Sequence, residues 1–599
     1  MNICKITIEN FRGIKSASFT LEGNHVFVGD NNSGKSTIFE AIDLVMGPER
    51  LARRPVIDEH DFYAGEYLID GVSTEIHIEV IVINLNEEQI RHFGNNIEWW
   101  NGKNNALIEG PPAESTDQEG VIPALRLAFK GRYDPEEDDF TGQTYFASSL
   151  REGAQPESFR TRDKRLCGFL YLRTLRTGRR SLSLESGSLL DVILQLKELK
   201  PQMWESVLTQ LKNVAVAAEP ALGITEILSD VQQSLSSLVP YESADKPQIR
   251  VSSLTREHLR KVLTVFMASG SLQTSGMEYA TPYYHQGTGT INTLVLSLLS
   301  MIADIKENVI FAMEEPEIAL PPHIQKRVVL SVIEKSTQAL FTSHSPYVLE
   351  EFDANQILVV SRINGIMDIV PAGMPPAVKP KAYQDELRRR FCESLLSRRV
   401  LIAEGRTELD VYSCAARKLQ RLHPSLSLSF ELLGISLVTA NTDTQVEPLG
   451  NYYRSLNKTV YAVFDKQDPT ISEKIKAAVD YTYEAQEHGL ENVCLNGIDH
   501  SVLLRYGLSI VADGSWPSHL YEYTPKEDMT AEQLKRSLLK YFKKEKGNGA
   551  LADLISFCSE DEMPEFIKNT IYSISKTIYP PVENQDTSVE GMPNDSSEE

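Results

Sequence analysis

The stretch Gly29-Asp30-Asn31-Asn32-Ser33-Gly34-Lys35-Ser36-Thr37 decides how the first half of the chain folds. It fits the pattern G-x-x-x-x-G-K-[ST], and its flanks matter as much as the match. The apolar run His25-Val26-Phe27-Val28 before it predicts a buried strand. Residues 36–46 after it predict a helix that packs Ile38, Phe39, Ile42, Leu44 and Val45. Gly29 and Gly34 let the backbone close around phosphates, whose charge is met by amide groups at the helix N-terminus. Lys35 is then set to reach the β- and γ-phosphates of ATP and the Ser36 hydroxyl to ligate Mg²⁺, with Asn32 and Thr37 completing the nucleotide-binding set.

A phosphate loop needs a carboxylate for its metal and a group to orient the attacking water. Both stand in Asn308-Val309-Ile310-Phe311-Ala312-Met313-Glu314-Glu315-Pro316-Glu317, where apolar residues 309–313 predict a central strand. Glu314 takes the position of a Walker B metal carboxylate and Glu315 that of the general base. A further strand, Gln338-Ala339-Leu340-Phe341, runs into Thr342-Ser343-His344-Ser345 and sets His344 at the carboxyl edge of the sheet, as a γ-phosphate switch.

A second acidic centre opens in Arg399-Val400-Leu401-Ile402-Ala403-Glu404-Gly405-Arg406-Thr407-Glu408. This is a buried strand ending in an acid and a glycine, then a helix with another acid, which keeps Glu404 and Glu408 close at the strand-to-helix corner. A later strand, Thr459-Val460-Tyr461-Ala462-Val463-Phe464, ends in Asp465-Lys466-Gln467-Asp468. If the two strands are neighbours in a parallel sheet, their ends collect three or four carboxylates. Such a cluster repels itself unless a hard cation, Mg²⁺ or Mn²⁺, neutralises it, and cations there could activate water against a phosphodiester.

These motifs carry a family resemblance. The segment Gln286-Gly287-Thr288-Gly289-Thr290 resembles the ABC signature, which implies that Gly287 and Gly289 cap the nucleotide of an opposite subunit. The opening Ile6-Thr7-Ile8-Glu9-Asn10-Phe11-Arg12-Gly13 resembles RecF-like and SMC-like ATPase heads, which implies that Arg12 lies near the nucleotide. The acid pattern from Glu404 is similar to a Toprim domain. An ABC-type head followed by Toprim resembles the OLD (overcoming lysogenization defect) family of ATP-dependent endonucleases. The resemblance implies ATPase roles for Lys35, Ser36, Glu314, Glu315 and His344, and nuclease roles for Glu404, Glu408 and Asp465. It also implies a homodimer or higher oligomer joined through the heads, with DNA as substrate. The setting it implies is anti-phage defence of the Gabija or retron-effector kind, alone or beside a helicase, or a reverse transcriptase with its retron DNA.

Two features depart from the family or stay open. The usual Toprim pair is Asp-x-Asp, whereas Asp465 and Asp468 have two residues between them, so Asp468 is either a shifted ligand or a bystander. Asp499 is the nearest match for a further acid. Near the carboxyl end Lys546 is either the lysine that stabilises the cleaved phosphate or part of a basic, DNA-facing helix with Lys535, Arg536, Lys540, Lys543 and Lys544. An ATP-gated sensor with a degenerate acidic site and a toxin-like nuclease cutting RNA or tRNA are the alternative functions.

The expected fold class is α/β. The head is divided into residues 1–84 and 280–385 around a partly helical insert, 85–279, that serves dimerisation or faces DNA; a Toprim unit, 395–578, and a disordered acidic tail, 579–599, follow. Helical patterns at 189–214 and 256–267 are interrupted by Pro201, Pro220 and Pro240 or by glycine, too short for the heptad arms of cohesion proteins. Within the insert, residues 134–139 read as a solvated acidic loop. Arg160, Arg162, Lys164, Arg165, Arg173, Arg176, Arg179 and Arg180 read as a phosphate-following track or a solvated face. The net charge of −23, from 60 basic and 83 acidic residues, opposes indiscriminate nucleic-acid binding and confines contact to local basic tracks. Six scattered cysteines and the lack of any apolar run of about 18 residues point to a reducing cytoplasm without membrane attachment.

Overall fold

The computed structural model describes the chain except residues 49–55, 109–119, 151–154, 173–183, 185–187, 198, 213–223, 239–254, 288–289, 292–293, 296, 299–300, 303–308, 319, 377–387, 546–547 and 580–599. It forms two compact units, Met1–Pro371 and Ala372–Glu599.

The first unit is built on a 13-stranded mixed sheet. One half is parallel, in the order Phe169–Leu172, Ile310–Glu314, Gln338–Thr342, His25–Val28, Ile357–Ile363. Its central strands are buried at every residue, as strands covered on both faces must be. The other half is largely antiparallel and includes Ile14–Thr20, Asn2–Phe11, Glu75–Ile83 and Val121–Asp134. There inward and outward residues alternate, as Ile14, Ala17 and Phe19 do against their exposed neighbours. The helix Lys35–Met46 lies on the sheet and buries Ile38, Phe39, Ala41, Ile42, Leu44, Val45 and Met46. Phe39 meets Phe27 and Tyr171 edge-on at 5.6 and 6.1 Å between centroids.

The region between the two halves of the head combines strands of the main sheet with helices. Ile97–Asn101, Ala106–Ile108, Val121–Asp134 and Asp139–Phe146 extend the main sheet, and Phe169–Leu172 pairs with the Glu314 strand. The acidic run is the turn of a hairpin, where Asp134 accepts from Glu136 N and Asp138 from the Tyr133 hydroxyl. Helices follow at Leu189–Leu196, Lys200–Lys212, Ile224–Leu238 and Arg256–Val262. Pro201 opens the second of these, where its missing N–H is no loss. The fourth ends at Val262, and Phe266–Leu272 then pairs with Glu278–Pro282 as a separate hairpin.

The second unit has a parallel sheet in the order Ile435–Thr439, Arg399–Ala403, Thr459–Phe464, Tyr481–Glu484. Alternate residues serve two cores. Leu401, Tyr461 and Val463 pack under the helices Arg406–Leu422, Leu490–Gly497, Ala531–Lys544, Ala550–Phe557 and Glu565–Ile578. Val400, Ile402, Val460, Ala462 and Phe464 pack under Val446–Ser455 and Pro469–Ala478. All six cysteines are free, and among the described residues no helix is long and apolar enough to cross a membrane.

Candidate functional site

The phosphate loop runs from the buried strand His25–Val28 into the helix Lys35–Met46 through three residues with positive φ: Gly29 (151°), Asn32 (68°) and Gly34 (99°). A Cβ on Gly29 would stand 2.4 Å from the backbone Val360 O, so Gly29 is required by conformation and by space, and Gly34 by its positive φ. Gly34 is the helix N-cap and supplies no side-chain acceptor. The first amides therefore face the loop as an anion site, with Ser36 exposed on the first turn beside Thr37. Lys35 is buried, and its Nζ donates to Gly29 O at 2.9 Å and Asp30 O at 2.8 Å. Burial lowers its pKa to about 8 against the pull of Asp30, Glu315 and Glu317.

The carboxyl ends of the neighbouring strands bring the other residues of this centre together. Glu314 is buried and accepts from the Tyr171 hydroxyl at 2.7 Å. Glu315 takes a positive φ of 44° while its N–H donates to Thr342 O, a strain of about 1 kcal/mol or more held at the strand end. Burial and the nearby Lys35 charge lower the His344 pKa to about 4, so its imidazole is neutral at pH 7. Glu317 links the two strand ends: its carboxylate accepts from His344 N at 2.6 Å and from Ser343 Oγ at 3.0 Å. Its pKa is raised by burial despite those donors. In the sequence Glu317 belongs to no motif, and its third place in Glu315-Pro316-Glu317 after the strand is all that marks it.

Other residues of the nucleotide set stand differently. Arg12 (φ 50°) pairs with Asp61 Oδ1 at 2.7 Å and with Glu40 Oε2 at 2.6 Å. It thus braces the helix that follows the loop, because Glu40 lies within that helix. Gly287 opens a turn, accepting from Thr290 N and Ile291 N, while Gly289 lies outside the described residues. Of the basic stretch, Lys164 is fully buried and donates to Leu44 O at 2.7 Å, which removes it from any nucleic-acid track. Arg160, Arg162 and Arg165 are exposed, and Arg173, Arg176, Arg179 and Arg180 lie outside the described residues.

In the second unit the strands ending at Ala403 and Phe464 are parallel neighbours, which brings Glu404 and Asp465 to one sheet edge. Burial raises the Glu404 pKa, and the charges of Asp465, Glu408 and Asp443 raise it further against a hydrogen bond from the Asp465 backbone. Glu408 is buried in the first helical turn, its Oε2 beside Gly405 at the strand end. Asp465 Oδ2 accepts from Gly489 N at 2.7 Å. Asp443 went unnoticed in the sequence, because it follows its strand, Ile435–Thr439, by several residues and joins the edge only through sheet order.

The remaining acids have other work. Asp468 caps the helix Pro469–Ala478, accepting from Thr470 N and Oγ1, and Asp499 caps His500–Ala512 in the same way through Ser501. Lys546 lies outside the described residues. Among the described residues no group of three or more His, Cys, Asp and Glu stands at a spacing that holds a metal ion. The donor chemistry nevertheless fits a hard cation: all are carboxylate oxygens, and Glu404 Oε2 is buried without a hydrogen-bond partner.

A phosphate loop at the carboxyl edge of a mixed sheet, with acids and a neutral histidine beside it, defines an ATPase head. The chain belongs to the AAA ATPase domain family, whose model matches residues 1–107 and 154–349, just over half of its length. The unmatched gap contains the hairpin of Val121–Asp134 and Asp139–Phe146. The chain is also 21% identical over 446 residues to Endonuclease GajA of Bacillus cereus (strain VD045), covering 72% of this chain and 69% of that protein. A shorter match, 35% over 74 residues, is to the uncharacterized protein YbjD of Escherichia coli (strain K12), 12% of this chain and 13% of that one. Among solved structures, an SMC head bound to the C-winged helix domain of ScpA aligns at 14% identity and TM-score 0.33, over 62% of this chain and 98% of that one. The C-terminal region of the Burkholderia pseudomallei OLD protein aligns at 15% identity and TM-score 0.24, over 30% and 98%.

Proposed function

We propose that this protein is an ATP-dependent, divalent-metal-dependent endonuclease of OLD type that cuts or nicks DNA, with a Toprim centre in its second unit. The observation that carries the reading is the edge where the charges of Glu408, Asp465 and Asp443 act on Glu404, one of whose oxygens is partnerless, on the same chain as a phosphate loop. The distant similarity to an endonuclease supports it.

In the head, Lys35 and the helix amides would bind the phosphates of ATP, Ser36 and Glu314 would hold its Mg²⁺, and Glu315 would take a proton from the attacking water. His344, neutral at pH 7, meets the γ-phosphate, and Glu317 fixes the backbone from which it reaches. In the second unit Glu404, Glu408 and Asp465 would hold the cation. That cation, when bound, lowers the pKa of water and offsets charge on the phosphodiester. Asp443 adds negative charge to this edge. The heads pair across ATP through the turn at Gly287, and ATP binding gates cleavage. The setting is prokaryotic defence against phage, alone or with a helicase or a reverse transcriptase and its retron DNA.

One observation favours a second reading, an ATP-gated sensor: the acids are wider apart than ligands, and Asp468 caps a helix. Cleavage of supercoiled plasmid and of total RNA, with Mg²⁺ or Mn²⁺ and with or without ATP, separates the readings when run beside Glu404→Ala. DNA cutting lost in the variant is the expected result. Cutting retained in the variant overturns the acidic centre, cutting of RNA alone overturns the DNA substrate, and DNA binding without cutting favours the sensor.

A further inference from the structure

The helix Ala531–Lys544 buries Leu534, Ser537, Leu538, Tyr541 and Phe542 and turns Arg536, Lys540, Lys543 and Lys544 away from that core. Steps of four, three and one residues keep the four cations on one side of the helix. None of them has an ion-pair or hydrogen-bond partner among the described residues, and Lys540 Nζ sits 3.4 Å from the centroid of the Tyr523 ring. The acids of this segment, Glu532 and Glu545, pair with none of the four. Glu522 and Asp528 line one pocket with Arg536, but without ion pairs the neighbouring cations still repel one another and attract an outside anion.

The same helix is tied to the acidic centre. Lys535 donates to Asn496 Oδ1 at 2.9 Å, and Asn496 donates to Glu487 Oε1 at 3.2 Å. Asn496 stands near the end of the helix Leu490–Gly497, and Gly489 at its start donates to Asp465. One helix of 8 residues, about 12 Å at 1.5 Å per residue, therefore lies between Lys535 of this helix and Asp465.

We propose that Arg536, Lys540, Lys543 and Lys544 form a track for the phosphate backbone of duplex DNA, holding the strand beside the carboxylate edge; the proposal rests on the nuclease reading above. The track runs about 12 Å along the helix axis. One strand of duplex presents a charge about every 3.4 Å of duplex axis, so a track lying along that axis meets about three or four phosphates.

Anisotropy of a fluorescent DNA duplex with the full chain, across a salt series in EDTA so that nothing is cut, tests it. Arg536→Ala/Lys540→Ala/Lys543→Ala should weaken binding about tenfold or more at low salt and flatten the log–log salt slope by about 2 to 3. Lys540→Arg/Lys543→Arg should bind normally, and so should Lys576→Ala, which removes an exposed lysine from another helix. Far-UV circular dichroism and ATP hydrolysis establish that each variant is folded. Unchanged affinity and slope in the triple variant overturn the proposal, as does equal weakening by Lys576→Ala or a loss confined to duplex RNA. Plasmid cutting by the same preparations separates the two ideas. A triple variant that binds normally while the unaltered chain cuts removes the track alone; an unaltered chain that binds through the track without cutting removes the nuclease alone.

Discussion

The two acidic centres of this molecule solve the problem of buried charge in opposite ways. In the head, Glu314 has Tyr171, Glu317 has two donors from the switch strand, and an internal cation, Lys35, sits among the acids. In the second unit the charges of Asp465, Glu408 and Asp443 act on Glu404, and one Glu404 oxygen lacks a partner. Carboxylates that hold their own donors are ready for substrate as they stand. Carboxylates that repel one another await a cation from outside. On the proposed reading, preorganisation in the head is carried by protein groups and in the second unit would be completed by a bound cation.

The comparison can be broken at its strongest points. Removing the internal cation with Lys35→Ala should lower ATP hydrolysis about 10²–10³-fold, measured by phosphate release, and a loss under tenfold would refute the claim that this amine neutralises the head. Glu404→Gln should abolish metal-dependent plasmid cutting with ATP hydrolysis intact. It should also remove the rise in Tm that Mg²⁺ gives the unaltered chain. An equal rise in both proteins would place the cation elsewhere.

Smaller effects sharpen it. Glu317→Gln keeps the shape and weakens the acceptor for His344 N, so kcat for ATP should fall several-fold with KM little changed, and Glu317→Ala should fall further; a change in KM alone would assign Glu317 to nucleotide binding. Lys164, whose amine meets the last turn of the helix after the loop, has its pKa lowered to about 7 by burial, from 10.5. Between those values the unfolded chain binds the extra proton, so this group's penalty is complete below about pH 7 and fades as pH rises. Lys164→Met should therefore raise Tm more at pH 6 than at pH 9.5, and the reverse order would falsify the buried, neutral amine. Asp468→Ala should lower the urea midpoint slightly through the lost cap and leave cutting unchanged. Lost cutting would return Asp468 to the metal set.

Much of this was legible in the chain itself. Gly29, Gly34 and Lys35 between an apolar run and a helical pattern identify a phosphate loop because strand, turn and helix signals are all local. The strand ends at Glu314, His344, Glu404 and Asp465 could be read for the same reason. The strands between residues 97 and 172 were not, since their pairing partners lie far away in sequence and short apolar runs do not declare which edge they extend. Arg12, Lys164 and Asp468 show a related limit: a charge in a motif says nothing of the partner it will meet, and each found one inside the fold.

The sequence by itself determined the two α/β units, their order, and which residue types stand at each strand end, because side-chain period, glycine conformation and helix patterning depend on neighbours a few residues apart. Only the tertiary structure decided that Asp443 would join Glu404, that Glu317 would bind the histidine strand, and that Asp468 would cap a helix. Those outcomes turn on which strands lie side by side and which donors reach a carboxylate first, and both are set by contacts between residues distant along the chain.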